Sequence, residues 1–128
     1  MIYLDSSVAL AYLLAEERAP SHEIWQQPLI SSRLLEYEVW NRIHARQLAA
    51  SHGHETRALI ARLAFIELAP LVLARALEPF PTPVRTLDAL HLASIEFLRA
   101  RHQRVEILSY DERLLAAAHA LNIPPYQS

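Results

Sequence analysis

Asp5, Glu38, Asp88 and Asp111 are the residues of this 128-residue sequence best placed by type and spacing to do chemistry. The three aspartates are the only ones in the chain, set against 11 glutamates, and each falls where a strand is expected to end or a helix to begin. Carboxylates about 5 Å apart repel by about 3 kcal/mol per pair at an effective dielectric of about 20. A cluster of four therefore requires protonation or a cation. With hard oxygen donors and no Cys anywhere in the chain, the expected cation is Mg2+ or Mn2+. Each acid also has a local reading: Asp5 and Asp111 as helix caps, Asp88 as a charge favoured by a helix dipole, Glu38 as an ion-pair partner of Arg42. Taken together these are less convincing, since every Asp in the chain would then be only a cap or a dipole partner.

The elements that must position these acids alternate between strand and helix. An apolar run over residues 1–4 ends at Asp5-Ser6-Ser7, and residues 8–15 continue in helix-tolerant types, which reads as strand, turn, helix. Pro20-Ser21 can open a short helix through Trp25, and Leu29-Ile30 a brief second strand. Residues 32–50 contain no Pro or Gly and place apolar side chains at 35, 39, 40 and 43, so one long amphipathic helix is expected. Gly53, the only glycine, is expected to mark a break before a helix over 54–64. A third strand follows over 65–68 and a helix over 71–77. The segment 79–83, with three prolines, cannot continue a helix and is a stiff connector. Thr86 is expected to cap a helix to about residue 101, with its inward face through 87, 90, 94, 97 and 98. A strand over 105–108 and a helix over 111–121 complete the chain. This alternation implies a parallel sheet covered on both faces, an α/β class. In such a sheet the carboxyl ends of the strands share one edge, where Asp5 and Asp111 can meet.

Composition narrows the classes further. Apolar residues make up 52% and charged residues 20%, which excludes a disordered chain and supports a core in a single domain. The absence of Cys excludes disulfides, thiolate zinc sites and cysteine nucleophiles and fits a reducing cytoplasm. The longest apolar run, residues 8–15, is far short of the roughly 20 residues that span a bilayer, and the N-terminal stretch lacks the basic start of a secretory signal. A mature, cytoplasmic protein without a membrane partner is expected. The formal charge is −2, all 12 basic residues being Arg. Setting the four acids aside leaves +2, so a metal-loaded site can face a polyanion without strong repulsion.

Four blocks also carry a family resemblance: MIYLDSSVALAYLL at 1–14, SSRLLEYEVWNRI at 31–43, RTLDALHLASIEFL at 85–98 and ILSYDERLLAAAHALNIP at 107–124. In order and spacing they resemble the acidic blocks of PIN domains, and more specifically the toxin subunits of VapBC-type toxin–antitoxin modules. The DALHLA and YDERL blocks are the most specific parts. The resemblance implies a single PIN-like domain over 1–128, with a central parallel sheet of four to five short strands flanked by helices. It places the family's acids on Asp5, Glu38, Asp88 and Asp111, with Ser7 and Ser109 as hydroxyls supporting the metal site. Ser109 stands where the family often has Thr. Glu36 is a rival to Glu38; Glu38 is preferred because Val39-Trp40-Asn41 follows it and Asn41 shares its helical face.

The activity implied is that of a Mg2+-dependent endoribonuclease, with Mn2+ as a possible substitute. Metal held by the acids would bind a bridging phosphate, generate a hydroxide from water and stabilise the leaving 3′ oxygen. Arg85 and Arg42 are candidates for phosphate contacts. His91, three residues beyond Asp88, reads as a packing histidine, and Tyr12, Trp25 and Trp40 as core or partner contacts. The resemblance also implies a small DNA-binding antitoxin and a homodimer, for which apolar content in the early helices, including Leu13 and Trp25, is available. A PIN nuclease of RNA processing and a non-catalytic PIN-like module remain alternatives. A response-regulator receiver needs a lysine, which the chain lacks, and a haloacid-dehalogenase-type phosphatase needs Asp where Ser7 stands.

Overall fold

A computed structural model describes residues 1–127. Among them, four strands form one parallel sheet in the order β3-β2-β1-β4: β1 Ile2–Leu4, β2 Leu29–Ser32, β3 Ala64–Ile66 and β4 Glu106–Leu108. The helices are α1 Ser6–Leu13, α2 Arg33–Ala45, α3 Ala49–Ala61, α4 Pro70–Ala76, α5 Thr86–Arg99 and α6 Glu112–Ala120, with a short 3-10 helix His22–Gln26 before β2.

The chain steps from β1 outward to β2 and β3 and then returns to lay β4 on the other flank of β1. The strand order reverses there, so the carboxyl ends of β1 and β4 border a topological switch point. Strand alternation divides the core in two. Ile2 and Leu4 face one side with Val8, Leu35, Val39, Ile43 and Leu59, while Tyr3 faces the other with Val72, Leu92, Ile95, Ile107 and Leu114. Both faces of β1 are thus buried, as a parallel strand between helices requires.

Four expectations are corrected. The long helix over 32–50 is two helices, and the break lies at Gln47 rather than Gly53. Gln47 takes a left-handed φ of 57°, its amide donates to the His44 carbonyl, and the Leu48 amide reaches back to Ile43 while the Leu48 side chain packs on the core. This is a Schellman stop closed by hydrophobic contact rather than by glycine. Gly53 instead lies buried inside α3, where the Arg57 guanidinium covers it at 3.3 Å from the position of an added Cβ.

Thr86 is the first residue of α5 and not its cap; Arg85 holds the cap position in an extended conformation without a side-chain cap bond. The buried face of α5 runs through Asp88, His91, Leu92, Ile95 and Leu98, leaving Leu87 exposed, so the expected face was set off to one side. Leu13, expected to be available to a partner, is a core residue.

Candidate active site

Asp5 follows the central strand directly, and its amide donates to the Leu108 carbonyl at 3.0 Å, continuing the β1–β4 ladder to the edge of the sheet. Its backbone stands at the cap position of α1, yet its side chain makes no cap bond. The carboxylate is instead held by two serines, Ser7 in α1 and Ser109 just after β4. Its Oδ2 accepts from Ser7 Oγ at 2.6 Å and from Ser109 Oγ at 2.8 Å. The two hydroxyls accept in turn, Ser7 from the Tyr110 amide and Ser109 from the Asp111 amide, each at 2.9 Å. Both serines therefore tie the end of β1 to the loop after β4. Two short donors on one oxygen also fix the rotamer of a side chain that is only 5% exposed.

Asp111 does cap a helix: its Oδ1 accepts from the Arg113 and Leu114 amides at 2.9 and 3.2 Å. Its Oδ2 is left facing the Arg85 guanidinium at 3.8 Å. Asp88, in the first turn of α5 and 8% exposed, has Oδ2 at 3.7 Å from Arg85 Nε. Burial lifts the Asp88 pKa above the usual carboxylate range, and the negative charges of Asp111 and Asp5 add to that rise against the opposing pull of Arg85 and His91.

Glu38 reaches the site from α2. Its Oε1 meets His91 Nε2 at 2.7 Å, and the same nitrogen stands 3.9 Å from Asp5 Oδ1. Glu38 makes no ion pair with Arg42 among the described residues. Glu36 pairs with Arg33 at 3.4 Å and lies outside this group, so the structure brings Glu38 and not its rival to the cluster. His91 is 1% exposed, and its Nδ1 lies 2.7 Å from the hydroxyl of Tyr3, which also accepts from the Ser32 amide at 3.2 Å. Desolvation pushes the Tyr3 pKa far up, so the phenol keeps its proton.

These side chains line a cleft of about 500 Å³ that takes in Asp5, Glu38, Asp88, Asp111, Ser7, His91, Arg42 and Arg85. Ser109 is buried behind Asp5. A larger hollow of about 670 Å³ between α4 and the proline connector is mostly apolar, lined by Leu73, Leu77, Phe80 and Leu90 and by none of the four acids. The titratable groups converge on the smaller cleft, the pattern of a candidate site.

The structure brings all four acids, Ser7, Arg42 and Arg85 to one cleft with Ser109 behind Asp5; His91, expected to be a packing histidine near Asp88, instead bonds Glu38, and Tyr3 beside it was not singled out. The spacing of His91 to Asp88 was a usable signal, because residues three apart share a helical face. Nothing in the sequence pointed to Tyr3.

The donor set suits a hard divalent cation. It consists of carboxylate oxygens backed by hydroxyls, and Asp111 and Asp5 add to the burial that raises the Asp88 pKa, a repulsion that a cation would relieve. Among the described residues, no three acidic or histidine side chains are grouped closely enough to hold an ion in their present orientations. Asp88 and Asp111 face Arg85, while Glu38 bonds His91 through Oε1 and still lines the cleft. Loading would therefore require Asp88 and Asp111 to turn from Arg85, while the backbones already converge.

A parallel α/β sheet with acids gathered at its switch point defines a class of acidic-cleft proteins, and the family within that class is identifiable. The chain belongs to the PIN domain family, whose model matches residues 2–120. It is similar to proteins named Ribonuclease VapC35 from two strains of Mycobacterium tuberculosis, CDC 1551 / Oshkosh and ATCC 25618 / H37Rv. Each is 28% identical over 129 residues, covering 96% of this chain and 93% of the relative.

Proposed function

We propose that this protein is a metal-dependent endoribonuclease and the toxin of a type II toxin–antitoxin module. The observation that carries the reading is the convergence of Asp5, Glu38, Asp88 and Asp111, from separate elements, on one cleft at the sheet's switch point. The similarity to proteins named as ribonucleases supports RNA as the substrate.

The chain's own residues divide the work. Asp5 is the fixed point, since both serines hold one of its oxygens and leave the other toward the cleft. Asp88, Asp111 and Glu38 complete an acidic ring suited to Mg2+, with Mn2+ as a substitute. A bound ion of this kind supplies Lewis acidity and a lowered water pKa, the two requirements of phosphodiester hydrolysis. Arg85 and Arg42 line the same cleft and supply guanidinium groups for backbone phosphates, while no side chain need form a covalent intermediate.

The test is direct. Purified protein is incubated with structured RNA plus Mg2+, against EDTA and against Asp5→Asn and Asp88→Asn. Cleavage is expected only in the wild type with metal, and cleavage that persists in both variants overturns the assignment.

The toxin reading brings a small DNA-binding antitoxin, pairing of two copies and a cytoplasmic location. Among the described residues no helix is long and apolar enough to cross a membrane. Leu71, Leu73 and Leu77 of the α4 region are exposed and offer apolar surface for such contacts. A small DNA-binding protein encoded immediately upstream would support the module; a lone gene would count against it and leave the nuclease reading standing.

A further inference from the structure

We infer that His91 and Tyr3 form a buried positioning relay that holds Glu38 toward the metal site before any metal arrives. The inference rests on the nuclease reading above and adds to its site two residues that need not touch substrate or metal.

The geometry runs from the sheet outward. The Ser32 amide, at the end of β2, donates to the Tyr3 hydroxyl at 3.2 Å. An ionised carboxylate can only accept, so His91 Nε2 donates its proton to Glu38 Oε1 at 2.7 Å. In the neutral imidazole this leaves Nδ1 as the acceptor, and the Tyr3 hydroxyl donates to it across 2.7 Å. The two rings meet edge to face, with centroids 5.8 Å apart and planes at 82°. Tyr3 and His91 are both essentially inaccessible to solvent, so the imidazole is held between the two oxygens away from competing water.

Glu38 needs such support more than its neighbours. Asp5 has two serine hydroxyls and Asp111 two helix amides, and both are short side chains. Glu38 is longer, projects from the middle of α2, and among the described residues has His91 as its only hydrogen-bond partner. Ordering a free Glu side chain is entropically costly, and a histidine that orders it in advance removes that cost from ligand binding. In metal sites, groups that orient a ligand in this way commonly change affinity by about 10- to 100-fold when removed.

The experiment uses the full chain and Mg2+ alone, followed by titration calorimetry, with circular dichroism as the check on folding. His91→Ala is expected to weaken Mg2+ binding about tenfold or more. His91→Gln, whose amide can still donate to Glu38, should recover most of the loss. Tyr3→Phe should weaken binding less, and should add nothing in the His91→Ala background, the signature of two residues acting in series. If His91→Ala does not fold, His91→Gln and Tyr3→Phe are compared with Glu38→Gln instead.

Nitrogen-15 spectra of the metal-free protein at mildly alkaline pH give a readout independent of binding. The His91 proton should sit on Nε2, Tyr3→Phe should move the Nδ1 resonance, and Glu38→Gln the Nε2 resonance. Wild-type affinity in Tyr3→Phe and His91→Ala, or a proton found on Nδ1, overturns the relay. A wild-type protein that binds no Mg2+ overturns the metal-site reading instead, and the imidazole spectra then decide the relay alone.

Discussion

His91 Nε2 stands 2.7 Å from Glu38 Oε1 and 3.9 Å from Asp5 Oδ1, so one buried imidazole lies between a carboxylate carried by a helix and a carboxylate carried by a strand end. Burial by itself drives the His91 pKa down. The hydrogen bond and charge of Glu38, reinforced by Asp5 and Asp88, outweigh burial and hold the pKa above its ordinary value.

That direction fixes a pH dependence. A histidine whose folded-state pKa exceeds its unfolded value stabilises the protein fully below the ordinary imidazole range and loses that contribution as pH rises through the folded value. In EDTA, the melting-temperature gap between wild type and His91→Gln should therefore narrow as pH is raised from acidic to alkaline. A gap that widens with pH would contradict the assignment of the shift to the surrounding acids.

Asp88 should shift stability with pH in the same direction, for a different reason. Its carboxyl is raised by burial and by Asp111, so its ionised form is disfavoured in the folded state, and stability falls as pH rises through its folded pKa. Asp88→Asn should consequently raise the melting temperature in EDTA at neutral pH, the gain fading as pH drops through the raised folded pKa and vanishing below the ordinary carboxylate value. The same variant should lose at least about two orders of magnitude in RNA cleavage, and should lose the thermal stabilisation that Mg2+ gives the wild type.

Arg85, itself largely exposed, approaches both Asp88 and Asp111 within 4.0 Å in loose pairs at 3.7 and 3.8 Å. Such pairs stabilise little, so Arg85→Gln should leave the fold intact. If Arg85 holds a phosphate, the variant should bind RNA more weakly and reduce the salt-dependence slope by about 0.7, the value for one contact to a single strand. An unchanged slope would remove Arg85 from the RNA-binding surface.

The helix ends offer a test away from the cleft. Ala15, Gln47, His102 and Asn122 all adopt left-handed φ values of 50–63°, whereas the single glycine lies inside α3. Gln47→Gly should stabilise by about 1 kcal/mol by relieving the Cβ clash of that conformation. Gly53→Ala should stabilise by a similar amount, about 1 kcal/mol, because the added methyl meets only the movable end of Arg57. Urea titrations of both variants measure this, and loss of stability in either would show a tighter site than the distances give.

The order of elements, the parallel sheet and the meeting of the four acids were legible because each rests on a local signal. An apolar run ending in Asp5, a second ending near Asp111 and a proline block before Asp88 are all visible along the chain. What escaped was non-local or disguised. The stop at Gln47 depends on Leu48 packing into the core, which no neighbouring residue announces. The inward face of α5 was misplaced because it was drawn mainly through apolar positions, while its buried side also includes the polar Asp88 and His91. In this helix the polar residues on the buried side are the ones that turn toward the site. Tyr3 escaped because an aromatic in a central strand is the default core residue, and only the position of its hydroxyl distinguishes it.

The bond from Ser109 to Asp5 joins residues 104 apart in sequence, and β4 must pair with β1 for it to form. During synthesis, Asp5 emerges early and then waits for nearly the whole remaining sequence before its second serine exists. The activity proposed above would act on RNA, the material of the ribosome on which the chain is made. Placing the closing half of the cleft after residue 105 delays competence until the fold is almost complete, and an unfinished or truncated product carries acids without the assembled cleft.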